Sequence, residues 1–175
     1  MSRITEEIQK LHADSPLVEL FQLDLRALGG ERIYFTNTLG RGEIYFDGIK
    51  YHTIPVTTEG WEISSSGTMP QPNIQISNVN AFLLSEVINM GDLAGAALYR
   101  TLTFFKFLDG QPDADASMII GRPQKFYVKN IQSQDDSQIT WGLITPLEMQ
   151  TRVGRQVLRR GTGDQYFPGA GKSYA

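Results

Sequence analysis

Residues 169–173, Gly-Ala-Gly-Lys-Ser, have the order of the second half of a phosphate-binding loop. A complete loop, G-x-x-x-x-G-K-[ST], follows a strand and opens a helix whose N-terminal N–H groups finish the anion cradle. Gly171, Lys172 and Ser173 fit, but the first glycine is replaced by Tyr166, and Tyr174 and Ala175 leave no room for a helix. No nucleotide site is expected. His12 and His52 lie in separate segments, and no G-x-S-x-G elbow accompanies them. Ser64–Gly67 reads as a turn, so a Ser-His-Asp arrangement is not expected. Asp109, Asp113 and Asp115 crowd one stretch but lack the sixth-position glycine and closing glutamate of a calcium loop, and read as solvated loop charges. With no cysteine in the chain, disulfides, zinc–thiolate sites and thiol catalysis are excluded. Glu6, Glu7 and Glu19 read as solvent-face charges, Trp61 and Trp141 as core or interface aromatics. No catalytic, cofactor-binding or metal-ligating set emerges, and a non-enzyme is expected.

The elements that would carry any site belong to a chain of 175 residues, most simply one domain with a full core. Net charge is −3 and pI about 5.4, which does not suit a duplex-binding surface. The charge is unevenly spread. From Thr151 onward five basic residues face Asp164 alone, giving +4, so residues 1–150 carry −7. Two parts are expected: a body over 1–150 and a basic, glycine-rich tail over 151–175. No stretch approaches the ~20 apolar residues of a membrane span. The start, MSRITEEIQKLHAD, is too polar for a secretory signal, so the chain is expected to be made and kept in the cytoplasm unless it leaves within a larger particle.

Ser2 can cap a short N-terminal helix with Ile4, Ile8 and Leu11 on one stripe. LVELFQLDLRAL alternates as a strand, with Val18, Leu20 and Phe21 inward and Glu19 and Gln22 outward. RIYFTN reads as a second strand. Asp47–Gly48 sits between two alternating aromatic runs and predicts a type I′ hairpin over Glu43–Pro55, with Pro55 limiting further pairing. Pro70 and Pro72 frame an extended corner, and NIQISN is a strand through Ile74 and Ile76. NAFLLSEVINMGD has helical spacing through Phe82, Leu83, Val87 and Met90. ALYRTLTFFKFLDG reads as one long strand, and KFYVKNIQSQDDSQITWGLITP as a hairpin turning at 134–136. The sum is mostly β with minor α: a sandwich or barrel with one packed helix and an N-terminal helix.

The ordered set LFQLDLRALGGERIYFTN, IYFDGIKYHTIPV, GWEISSSGTMPQPNIQISN, YRTLTFFKFLD and ITPLE resembles the minor tail protein L family of lambda-like, long-tailed bacteriophages, from about Leu17 to Gly171. The resemblance implies a tail-tube-like β-barrel and a structural role at the tail tip. It implies a homotrimeric collar between the distal tail protein and the central hub or fibre protein, with the tape-measure C-terminus as a further partner, and assembly in the host bacterial cytoplasm. Whether the particle is a phage or a phage-derived bacteriocin is open. The family's C-terminal region carries cysteines thought to hold an iron–sulfur cluster. Their places fall near Thr162 and Gly171, so no cluster is expected here.

The expected ring contacts are the hairpin, through Asp47, Gly48 and Tyr51, and the region 61–72, through Trp61 and Met69. The lumen wall is expected to be acidic or neutral. The tail is expected to dock on a partner through Arg155, Arg159, Arg160, Tyr166 and Phe167. No specific nucleic acid and no membrane are expected as partners. A tail-associated peptidoglycan hydrolase and a free carbohydrate- or peptide-binding β module are the alternatives.

Overall fold

The computed structural model describes residues 3–9, 15–40, 43–61, 70–77, 93–134 and 138–148. The helix expected at 80–92, Met69 and the whole tail lie outside them. Helix α1 (Arg3–Gln9) precedes nine strands: β1 (Leu17–Asp24), β2 (Arg32–Thr36), β3 (Ile44–Phe46), β4 (Ile49–Thr53), β5 (Val56–Glu59), β6 (Asn73–Ser77), β7 (Ala97–Phe104), β8 (Gln124–Gln134) and β9 (Gln138–Ile144). They form a single sheet in the order β3-β4-β2-β1-β7-β8-β9-β6-β5. All neighbours are antiparallel except β2 and β4, which run parallel through Phe35–His52 and Thr36–Thr53. The protein is mostly β with minor α, as its alternating runs predict.

β3 and β5 are the ends of this order, so among the described residues no ladder closes it into a barrel. The chain nonetheless draws the ends together. Only Ile54 and Pro55 separate β4, near one end, from β5, at the other. The Ile54 N–H bonds the Thr36 carbonyl beside β2, while the Pro55 carbonyl accepts the Ser77 N–H beside β6. The sheet must therefore curl until its ends meet at this corner. Pro55 lacks an N–H but still offers an acceptor, which is how a proline fits between two strands. VTTE, which carries no strong signal in sequence, is a strand because β6 pairs with it through Val56–Ile76 and Glu59–Asn73.

Cross-strand partners share a face, so the register sorts side chains into an inside and an outside. Phe21 lies opposite Phe35, Leu23 opposite Ile33 and Leu98, Val128 opposite Leu143, and Ile74 opposite Trp141. All of them line the concave face and form the main core, with Phe21 and Phe35 stacked at 5.3 Å. Val18 and Leu20 face the other way and are also buried, under the β3–β4 hairpin and the segment 105–119. Both faces of β1 are thus covered, which is why Leu20 and Phe21, adjacent in sequence, are both buried.

Three local readings differ from the sequence expectation. β7 ends at Phe104, and Phe105–Phe107 form a 3-10 turn that buries Phe107 against Phe104 and Ile4. In α1 Ile4 is buried against the phenylalanines while Ile8 is exposed. Glu19 belongs to the concave face, not to the solvent, because Phe21 and Leu23 share its parity along β1.

Candidate interaction surfaces

The Asp47–Gly48 turn has φ values of 55° and 70°, both positive as a type I′ turn requires. Asp is among the side chains that tolerate this region, and Gly has no Cβ to clash there. Both residues are exposed at the tip of the β3–β4 hairpin. The tip is tied down. The Gly48 N–H donates to Asp109 Oδ2 at 2.7 Å, and the Asp109 N–H donates to the Tyr45 carbonyl at 3.0 Å. Asp109 is thus occupied with backbone. Asp115 accepts the Ser117 N–H and hydroxyl at 2.9 and 2.7 Å. Among the described residues no group of three or more His, Cys, Asp or Glu is placed to hold a metal ion, and His52 sits exposed on β4.

Tyr51 is buried in the second cluster, edge-on to Tyr34 at 5.5 Å. Burial pushes its hydroxyl up to about 12. The hairpin's outward side chains are instead Tyr45, whose hydroxyl donates to Glu43 at 2.9 Å, and Lys50, which pairs with Glu43. That hydrogen bond raises Lys50 and lowers Glu43.

Trp61 is half-buried where the chain leaves β5. Its ring meets Phe126 edge-on at 5.0 Å, and the Arg100 guanidinium lies 4.3 Å over its face. Arg100, opposite Phe21 on β7, donates Nη1 to Gln124 at 3.1 Å and pairs through Nη2 with Glu19. Glu19 also accepts Asn37 Nδ2 at 3.1 Å and the Thr58 hydroxyl at 3.4 Å. One carboxylate therefore gathers β1, β7, the end of β2 and the edge strand β5. Both charged side chains are nearly enclosed, at 10% and 14% exposure. Arg100 and Glu19 went unmarked in the sequence as partners because 81 residues separate them.

On the convex face the register lays two rows across four strands. Arg32, Asp24, Ala97 and Tyr127 form one; Tyr34, Gln22, Tyr99 and Lys125 form the next. Between them runs an open groove of about 450 Å³ lined by Asp24, Arg26, Ala27, Gly95, Ala97, Tyr99, Lys125 and Tyr127. Asp24 accepts Arg26 Nε and Nη2 at 2.9 and 2.7 Å and Arg32 Nε at 3.3 Å. The Arg26 hydrogen bond is the main cause that holds this carboxyl well below the usual carboxylate range. The Lys125 ammonium lies 4.9 Å from the Tyr127 ring centre and 5.4 Å from that of Tyr99. Hydrogen bonding to Tyr127, and then to Tyr99, raises its pKa. The sequence signal for this groove is the second parity of each strand, the residues that periodicity assigns to solvent.

The chain has recognisable kin. The family model of the phage minor tail protein L matches residues 26–170. The chain belongs to the phage minor tail protein L family. That makes it a structural component of a phage tail. It is similar to the tail tip protein L of Escherichia phage lambda, 31% identical over 97 residues, which are 54% of this chain. The match spans 42% of that relative's length. Of the minor tail protein L contacts expected from sequence, Asp47, Gly48, Tyr51 and Trp61 are placed as above, and Met69, Arg155, Arg159, Arg160, Tyr166 and Phe167 lie outside the described residues.

Proposed function

We propose that the chain is a tail-tip subunit that forms a three-copy collar between the distal tail ring and the central hub or fibre protein. The observation that carries this reading is the family match over residues 26–170, which takes in β2 through β9. The geometry supports it. The curled sheet keeps β3 as an end strand, and the tip of its hairpin, Asp47 and Gly48, stands exposed. A closed cyclic ring joins unlike patches, and we assign to that contact the hairpin Glu43–Pro55 and the region 61–72, of which 62–69 lie outside the described residues. No catalytic step is assigned to the chain.

The relative bears the words "tail tip" in its name, and the corresponding position here is the distal end of the tail. Cryo-electron microscopy of the tail tip tests the proposal. Three copies around the axis, contacting through the hairpin, are expected. A single copy, six equivalent copies, or absence from the tip overturns it.

A further inference from the structure

We propose that the convex groove over β1, β7 and β8 docks an extended acidic segment of a partner protein, with Lys125 and Arg26 as its charged contacts. The proposal rests on reading the chain as an assembly subunit and names where, and by what chemistry, one neighbour is held. The first argument is charge. Two cations, Arg26 and Lys125, line the groove with one carboxylate, Asp24, whose oxygens are engaged by Arg26 and by Arg32 beside it. The groove is thus locally positive on a body whose residues 1–150 carry −7. A positive inlay on an acidic surface repels nothing acidic at close range and selects for it against the surroundings.

The second argument is preparation. Lys125 is held over two tyrosine rings rather than waving in solvent, so little side-chain entropy is left to lose when an anion arrives. Arg26 commits Nε and Nη2 to Asp24, which fixes its plane, yet its side chain remains 61% exposed at the rim. A guanidinium oriented in this way retains donors for a second carboxylate.

The third argument is shape. Ala27, Gly95 and Ala97 line the groove with small side chains, so the backbone of a guest can approach the sheet. Lys125 lies against the Tyr99 and Tyr127 rings, so a sugar ring or a nucleobase would have to displace it to stack on that side. A nucleic-acid backbone would also need a longer basic track than these few side chains provide. An acidic peptide satisfies all three conditions.

The full-length chain is tested by fluorescence anisotropy with a labelled ten-residue peptide of alternating Glu and Gly. Peptides of Lys and Gly, oligogalacturonate and oligothymidylate of matched length are the comparators. The acidic peptide should bind the wild-type protein best. Lys125→Met and Arg26→Gln should each weaken it at least fivefold, and Lys50→Met, on the distant hairpin, should not. Unchanged affinity in both groove variants overturns the proposal, as does no binding by the wild type or stronger binding of the oligogalacturonate or oligothymidylate. Particle incorporation separates this from the tail reading. If the wild type enters tails and a folded Lys125→Glu variant enters equally well, the groove proposal fails alone. If the wild type is absent from tails, the reading beneath it fails.

Discussion

Glu19 and Arg100 show how much one ion pair can do when it is enclosed. In water such a pair contributes little, but here both charges are nearly removed from solvent and each has further polar partners. Removing one member strands the other. Arg100→Met leaves Glu19 buried with only Asn37 and Thr58 to satisfy it, and should lower stability by about 3–5 kcal/mol. Replacing both at once, with Glu19→Leu and Arg100→Met, should cost clearly less than the sum of the singles, because no charge is left unpaired. Urea unfolding of the four proteins of this cycle checks it. Additive losses would mean that the two side chains act separately. Trp61 belongs to the same argument: the guanidinium over its ring ties the exit of β5 to β7.

The β3–β4 hairpin is the element whose shape was most readable in advance. Asp-Gly between alternating runs specifies a two-residue turn, and the turn found has both positive φ values. Gly48→Ala should destabilise by about 1–2 kcal/mol, since a Cβ in the left-handed region is strained and the space around it offers nothing in return. Asp109→Ala, which removes the acceptor for the Gly48 N–H, should cost about 0.5–1.5 kcal/mol. Thermal unfolding of the two variants reads both, and an unchanged midpoint for Gly48→Ala would show that the tip is not strained. What could not be read follows from the same physics. Periodicity reports which residues are apolar, so β6 and β9 were visible through Ile74, Ile76 and Trp141. It cannot report that Glu19 faces inward, because a charged residue at a core parity looks like an error in the pattern until Arg100 is known to meet it. β5 was hidden by Pro55, which argues against pairing locally while β6 supplies it. The 3-10 turn at Phe105–Phe107 was hidden because its aromatics continue the strand's composition. The groove was hidden because its members come from three strands and the β1–β2 connection.

At the scale of the whole molecule the chain joins an acidic body to a basic end. Residues 151–175 are rich in glycine and carry +4, with too few apolar side chains to build a core of their own. Any ordering of that segment must therefore draw on a surface elsewhere. Arg152, Arg155, Arg159 and Arg160 recur at intervals of three, four and one residues, so a carboxylate-bearing neighbour can meet several of them, and each guanidinium can hold a carboxylate by two parallel hydrogen bonds. Tyr166 and Phe167 supply adjoining aromatics of the kind that anchor interfaces. With so few apolar side chains the segment is not expected to carry core packing, so its removal should leave folding intact. Deleting Gly161–Ala175 should shift the unfolding midpoint by no more than about 0.5 kcal/mol in free energy, while the yield of complete tails falls at least tenfold. Arg159→Ala combined with Arg160→Ala should lower the yield separately, and the gap from wild type should narrow as salt is raised, since screening weakens the contacts the wild type makes. Complete tails at normal yield from the truncated protein would show that residues 161–175, with Tyr166 and Phe167, hold no neighbour. A large fall in stability would show instead that it is bound to its own body.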